Sequence, residues 1–225
     1  MEIKKNYLIL LLITLIIPSV DEYVVNLYGI PMANVIIDTK DTIYNKMSAI
    51  KLTYKTNTNK ITSTIFNIEN IYETIIEKES LKILSFKKST FQPNITNHLY
   101  TNYINDTVKY HKSNVFIPNN CFNIFSLLYY LSNNPYESIK DSMIVEREGL
   151  MYNCILSKSK INNEIEFKLN LNLINNINNA VIEHTDIFTW ALFKKGGNNK
   201  VIINDSKIKS CQFKSGITNL KAYLK

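Results

Sequence analysis

The chain has 225 residues, which suits one domain or at most two small ones. It contains only 5 glycines and 5 prolines, so collagen-like and linker-like chains are excluded, and its hydrophobic fraction of 45% is ordinary for a globular core. The formal net charge is +7, but the lysines are scattered and no nucleic-acid-binding motif accompanies them. We therefore expect no nucleic-acid partner. The charge reflects either a Lys-rich composition or peripheral contact with an acidic membrane face.

The first 19 residues have the layout of a secretory signal peptide. Lys4 and Lys5 give a positive start, an apolar run interrupted only by Thr14 extends to Ile17, and Ser19 is a small residue at a cleavage edge. The run is shorter than the roughly 20 apolar residues of a membrane-spanning helix, although an uncleaved anchor is the alternative. We expect a signal peptide at 1–19, a single domain at 20–225, and export to the periplasm or cell envelope.

Most of the remaining chain has the alternation of polar and apolar residues that predicts β-strands. The predicted strands are 22–29, 32–39, 49–56, 81–91, 96–104, 107–111, 142–148, 150–158, 163–175, 186–193, 200–205 and 207–213. In the clearest strand, every second residue from Ile165 to Leu173 is apolar, and the residues between them are charged or amides. Strands with one apolar and one polar face are typical of antiparallel sheets that are wet on one side.

The segment 65–78 fits two patterns. As a helix, it would carry an apolar stripe that includes Ile68, Tyr72 and Ile75. As a strand, it would carry Phe66, Ile68, Tyr72 and Ile76 on one face. Periodicity alone does not distinguish a strand from a helix in this segment.

One compact, nearly all-apolar block interrupts the alternation between Ile117 and Pro135. Asn119 or Asn120 can cap a helix at its start, and Pro135 cannot continue one. The block therefore predicts a helix over about 121–132, apolar on most sides and so buried. Together these patterns predict a mainly β (α+β) fold, in which a single strongly twisted antiparallel sheet forms an open half-barrel with this helix in its concave face.

The sequence contains no arrangement of residues that indicates catalysis. A nucleophile elbow, a phosphate-binding loop and a dinucleotide fingerprint are all missing, and the three histidines are isolated. Cys121, Cys154 and Cys211 lie far apart, which gives neither a metal-ligand spacing nor a defined disulfide pairing. We therefore expect a protein that is not an enzyme, with no catalytic residues, no metal site and no cofactor.

Several short motifs follow one another in an order that is known from a protein family. Tyr23-Val24-Val25 precedes Gly29, Tyr72-Glu73-Thr74 follows, SLLYYL starts at Ser126, and LKAYL starts at Leu220. With these motifs, residues 22 to 225 resemble the bacterial exported family known as domain of unknown function 3108. The family helix commonly has Asp before the Ser and Arg after the Leu, where this chain has Asn123 and Ser132. The resemblance implies an open half-barrel similar to periplasmic lipoprotein and lipid carriers.

A one-sided sheet with an apolar helix in its concave face is a plausible pocket. We expect the protein to shelter an apolar ligand there, such as a lipid or a lipoprotein acyl chain. The candidate pocket-lining residues are Tyr72, Phe86, Phe125, Tyr129 and Trp190. The same side chains would also serve to fill a core. The alternative function is a non-enzymatic interaction module with a filled core, whose partner is another envelope protein.

Overall fold

A computed structural model describes residues 19–178 and 180–225 of the chain. Apart from its last position, the signal peptide predicted at 1–19 lies outside the described residues. These residues form fourteen β-strands, two α-helices and two short 3₁₀ helices. All fourteen strands belong to one antiparallel sheet, which curls until it is nearly closed into a barrel. The prediction of a mainly β fold built on a single antiparallel sheet is therefore confirmed.

The elements follow one another along the chain with short connections. The first eight strands are β1 (Ser19–Leu27), β2 (Ile30–Tyr44), β3 (Met47–Thr58), β4 (Glu69–Glu77), β5 (Ile83–Gln92), β6 (Ile95–Ile104), β7 (Thr107–Tyr110) and β8 (Phe116–Pro118). The remaining elements are α1 (Ile124–Asn133), β9 (Ser142–Arg147), β10 (Leu150–Ile161), β11 (Glu164–Asn178), α2 (Ile187–Phe193), β12 (Asn198–Asn204), β13 (Lys207–Ser215) and β14 (Thr218–Leu224). The 3₁₀ helices are Thr62–Thr64 and Tyr136–Ser138.

Consecutive strands are neighbours in each half of the sheet, and the two halves join through the pairing of β1 with β14. This seam aligns Tyr23 with Leu224, and the sheet ends at β8 and β9. The two ends of the sheet leave a gap between β8 and β9. The segment between β8 and α1 crosses this gap by hydrogen bonds to β5 and to β9. Ile83 N donates to Asn119 O at 2.9 Å, and Phe122 N donates to Ile144 O at 2.9 Å. These bonds connect β5 with β9 and nearly complete the barrel.

Two-residue turns connect many of the neighbouring strands. Asn45-Lys46, Asn105-Asp106 and Asp205-Ser206 have positive φ at both positions. Such turns match the right-handed twist of the strands that they join, and Asn and Asp tolerate this conformation well. Asn105-Asp106 joins β6 to β7, and Glu148-Gly149, also with positive φ at both positions, joins β9 to β10.

Helix α1 lies inside the barrel and contacts β3, β4, β9 and β13. Its start is fixed by a reciprocal pair of hydrogen bonds, in which Ser126 N donates to the Asn123 side chain at 2.9 Å and Asn123 N donates to Ser126 Oγ at 3.0 Å. The cap is therefore Asn123 and not Asn119 or Asn120. Leu127 and Leu131 are completely buried. The predicted buried helix is confirmed, with its bounds shifted by one to three residues.

The strand predicted at 186–193 is wrong, because this segment forms α2. The Asp186 side chain accepts hydrogen bonds from Phe188 N and Thr189 N at 3.0 Å each, and so caps a helix start. In contrast, the ambiguous segment 65–78 contains a strand, β4, with Tyr72 and Ile76 buried on one face. No helix within residues 19–178 and 180–225 is long and apolar enough to cross a membrane.

Candidate functional site

An apolar cavity of about 120 Å³ lies in the barrel interior, between the two helices and the strands around the β1–β14 seam. Phe125 and Leu128 of α1 and Leu192 of α2 line it on the helix side. On the sheet side, the lining includes Val25 and Ile208. An engineered apolar cavity of about 150 Å³ stays dry and binds benzene, so a space of this size and character can hold a small apolar group.

Aromatic side chains form one wall of this cavity, with Phe125 at the centre. Its ring centroid lies 4.8 Å from that of Tyr54, 4.6 Å from that of Tyr72 and 6.1 Å from that of Phe86. These separations are typical of favourable tilted and offset aromatic pairs. The predicted pocket residues Tyr72 and Phe125 thus line the apolar cavity, whereas Phe86 stacks against Phe125 without lining it.

A second, more polar cavity of about 230 Å³, which we call the mouth, adjoins the apolar one. The two cavities share the lining residues Tyr23, Ile37, Tyr54 and Ile208. The side chains that line only the mouth are Asp21, Thr39, Tyr129, Ser132, Asn133, Asp205, Ser206 and Lys207. The predicted pocket residue Tyr129 therefore lies at the mouth. The arrangement places an apolar cavity and a polar cavity side by side, with a shared wall of four residues.

Trp190 was predicted to line the pocket, but it lines neither cavity. The helical conformation of 187–193 turns its side chain outward, where it is 41% exposed and Lys194 Nζ lies 4.5 Å from the ring centroid. The α2 residues that do line the apolar cavity are Phe188, Thr189 and Leu192. A strand prediction assigns residues to alternate faces, so it could not identify a helical face.

A buried ionic cluster lies next to the aromatic wall, and sequence analysis missed it. The Lys88 ammonium forms ion pairs with Glu148 and with Asp186, the latter at 2.5 Å, and donates to Thr185 Oγ1 at 3.1 Å. Lys88 is only 2% exposed, and its Nζ lies 5.9 Å from the Tyr72 ring centroid. The signal in the sequence was the alternation of β5, which puts Lys88 on the same face as the inward Phe86.

The titration behaviour of the carboxyl groups near this cluster follows from their partners. Burial alone raises the pKa of Asp186, but the Lys88 charge and the hydrogen bonds from Lys88 and Thr189 outweigh it and bring the pKa below its ordinary value. Glu146 forms no ion pair among the described residues, and the neighbouring Arg147 charge lowers its pKa less than burial raises it. Burial raises the pKa of Glu146 to about 7, even though the Tyr110 hydroxyl donates to it at 2.9 Å. The cluster therefore holds Asp186 charged, while Glu146 is poised near neutrality.

One serine hydroxyl contacts a histidine among the described residues: Ser89 Oγ lies 3.1 Å from His98 Nδ1, in an exposed contact outside the two cavities. The described residues contain no group of three His, Cys, Asp or Glu residues that could hold a metal ion. Cys121, Cys154 and Cys211 are buried and unbridged, and burial raises the pKa of both Cys154 and Cys211 to about 12. A thiol with such a pKa stays protonated near neutral pH and is a poor nucleophile. The two cavities therefore offer a ligand an apolar space beside a polar one.

No protein-family model matches the chain, and no curated protein matches it either. Among solved structures, it is similar to the crystal structure of a β-barrel-like protein of a domain of unknown function, DUF1849, from Brucella abortus. The TM-score is 0.53, and the match covers 93% of this chain and 96% of that chain. The likeness concerns the fold alone, because only 6% of the aligned residues are identical. This chain has a β-barrel-like fold.

The comparison bears out the resemblance to barrel-forming domains of unknown function at the level of the fold. Kinship with domain of unknown function 3108 in particular stays a prediction. The fold alone assigns no activity, so the functional argument rests on the cavities and their lining residues.

Proposed function

We propose that this protein is a non-enzymatic binding protein of the cell envelope, exported through its N-terminal signal peptide, that holds the apolar part of a ligand inside its barrel. The observation that supports this proposal best is the apolar cavity with a polar cavity, the mouth, directly beside it. Kinship with domain of unknown function 3108, whose fold resembles lipid and lipoprotein carriers, belongs to the same proposal.

The volume of the apolar cavity limits what it can hold. At about 120 Å³ it has room for about six carbon atoms or fewer, by comparison with the cavity that binds benzene. It is smaller than typical ligand pockets of roughly 300–1,000 Å³. A lipid or lipoprotein acyl chain would therefore enter with its last few carbons only, unless α1 or α2 moves. A short chain or a single ring fits the cavity as it stands.

A second candidate function is protein–protein interaction in the envelope, and one surface favours it. The outward face of β4, β5 and β6 carries a groove of about 430 Å³, lined by Ile71, His98 and Tyr100 among others. Ile71, Tyr100 and the neighbouring Phe91 are large apolar side chains with at least a third of their surface exposed. Exposed apolar patches often mark binding surfaces for other proteins.

Benzene binding tests the proposed function directly. Saturation-transfer NMR on residues 20–225, purified without detergent, should detect benzene in contact with the protein. Val25→Phe, which inserts a ring into the cavity, should weaken benzene binding at least tenfold. Val24→Phe is the matched control, because Val24 is the next residue on β1 and points to the opposite face of the sheet. It should leave binding unchanged.

Overpacking by Val25→Phe costs about 1–3 kcal/mol of stability, so circular dichroism must first establish that the variant is folded. If the wild-type protein binds no benzene, or if both variants bind it equally, the interior is a filled core and the interaction function is favoured. If Val25→Phe does not fold, Leu128→Phe tests the same cavity from the helix side.

A further inference from the structure

The side chains that line the mouth indicate what kind of polar group a ligand could place there. An inference about that group rests on the proposed binding function. Because Tyr23, Ile37 and Tyr54 line both cavities, a ligand whose tail occupies the apolar cavity has its other end in the mouth. There it meets the hydroxyls of Thr39 and Ser206 and the side chains of Ser132 and Asn133, whose donors already bind to groups of α1. A ligand that occupies both cavities would need an apolar and a polar end.

Two carboxylates and one ammonium line the mouth, although the whole chain carries a net charge of +7. Lys207 Nζ is bound to Asp21 Oδ1 at 2.7 Å, so its charge is balanced. Asp205 has no ion-pair partner among the described residues. Asp21 is the more buried member of its pair, while the Lys207 side chain is about half exposed. Water therefore screens the ammonium more than the Asp21 carboxylate.

Helix α1 adds to the negative potential of the mouth. Ser132 and Asn133, which line the mouth, belong to its last turn, where the backbone carbonyls leave a partial negative charge. This last turn contains no basic residue. The field of Asp21 also extends inward, because it adds to burial in raising the pKa values of Tyr23 and Tyr54.

Two tyrosine hydroxyls at the mouth offer neutral contacts to a ligand. Tyr23 and Tyr129 both line the mouth, and within residues 19–178 and 180–225 neither hydroxyl has a hydrogen-bond partner. A phenol donates and accepts hydrogen bonds, so it can bind an uncharged polar group. An anionic head group would bring a third negative charge beside Asp21 and Asp205, and the described cation that lines the mouth, Lys207, is already paired with Asp21.

We propose that the site binds an amphiphile with a tail of about six carbon atoms or fewer in the apolar cavity and an uncharged or cationic head group in the mouth. Anionic analogues, such as short fatty acids and alkyl phosphates, are rejected. A cationic head group is attracted by Asp205, and an uncharged one binds to the tyrosine hydroxyls and the polar side chains around them.

Three ligands with similar tails test the proposal, namely hexyltrimethylammonium and hexyl glucoside, each with a six-carbon tail, and hexanoate, with five carbon atoms beyond its carboxylate. Binding to residues 20–225 is measured by saturation-transfer NMR at pH 7 and low salt. The cationic and neutral ligands should bind at least tenfold more tightly than hexanoate. High salt should reduce the difference, because it screens the charges of the mouth. Equal binding of all three ligands, or tightest binding of hexanoate, would overturn the head-group assignment.

Asp205→Asn tests the assignment on the protein side. The turn should persist, because Asn tolerates the positive φ of this position. The variant should bind hexanoate several-fold more tightly and hexyltrimethylammonium several-fold more weakly. Asp106→Asn is the matched control, since Asp106 lies in an equivalent two-residue turn and does not line the mouth. If Asp205→Asn leaves the selectivity unchanged, the assignment is wrong. If benzene and all three ligands fail to bind, the proposed function itself fails.

Discussion

Glu146 is a buried carboxyl group on β9 that sits among the side chains of the barrel interior. The Tyr110 hydroxyl donates to Glu146 Oε2 at 2.9 Å, and the Gly149 backbone N–H donates to the same oxygen at 3.4 Å. These two hydrogen bonds lower the pKa, but the cost of burying a charge is larger and the nearby Glu148 adds to it. The pKa is therefore raised from 4.5 to about 7.

This shift makes the stability of the protein depend on pH. Between pH 4.5 and 7 the folded protein holds a proton on Glu146 that the unfolded chain has lost, so the free energy of unfolding falls as the pH rises. The loss reaches about 3 kcal/mol above pH 7. Glu146→Gln removes the titrating group but keeps an acceptor for Tyr110. We expect the stability of this variant relative to wild type to increase from pH 5 to pH 8 by up to about 3 kcal/mol.

Urea denaturation at pH 5, 6, 7 and 8 measures this difference. The control is Glu183→Gln, because the Glu183 side chain is 88% exposed and should leave the pH dependence unchanged. Parallel stability curves for wild type and Glu146→Gln would show that Glu146 does not titrate in this window.

At the scale of the elements, sequence patterns predicted those strands in which one face is apolar and the other polar along the whole strand. On β11, Phe167 and Leu169 are buried as the alternation predicts. Leu173 is 40% exposed, because the pairing of β10 with β11 is irregular beyond this point. Helix α2 was missed because the eight residues at 186–193 fit both the helical and the strand periodicity. The contact that holds its capping residue Asp186 in place comes from Lys88, which lies 98 positions away in the sequence.

The candidate site was predictable only in part, because some of its contacts join residues that are far apart in the sequence. The inward aromatic residues Tyr72, Phe86 and Phe125 could be found from local patterns. The mouth could not, because it joins Asp21 to Lys207 across 186 residues of sequence. The pairing of β1 with β14 creates that proximity, and it depends on the whole sheet being formed.

The contact between Lys88 and Asp186 links helix α2 to the barrel wall. Replacing Lys88 by Met leaves the buried carboxylates of Glu148 and Asp186 without their cation. We expect this to reduce the free energy of unfolding by about 3–5 kcal/mol, since breaking a buried ion pair leaves uncompensated charges. We also expect α2 to detach more readily from the barrel wall. Trp190, the only tryptophan of the chain, lies on α2 and reports this change through its fluorescence.

Urea denaturation gives the stability change, and acrylamide quenching of Trp190 under native conditions gives the exposure of α2. Lys51→Met is the matched control, because Lys51 pairs with Glu73 on neighbouring strands with both side chains partly exposed. It should cost less than about 1 kcal/mol and leave the quenching unchanged. Similar effects of the two substitutions would contradict a special role for the buried lysine in holding α2.

At the scale of the whole molecule, the barrel depends on strands from the two ends of the described chain. Strand β1 lies between β2 and β14, and Lys225 N donates to Glu22 O at 2.9 Å. The pairing of β1 with β14 starts at Tyr23, so it does not involve residues before this position. Loss of residues 1–19 would therefore leave every pair of the seam intact.

Cleavage after Ser19 would thus remove one residue pair between β1 and β2, that of Ser19 with Thr39, and keep the seam, and it is the central prediction of the proposed export. When the full chain is expressed in a bacterium, we expect the protein in the envelope fraction with a mass that lacks about the first 19 residues. Leu11→Arg interrupts the apolar run and should keep the uncleaved chain in the cytosol. Intact-mass spectrometry of both fractions is the measurement. Full-length protein in the cytosol without this substitution would exclude export and leave the binding function to be tested in another compartment.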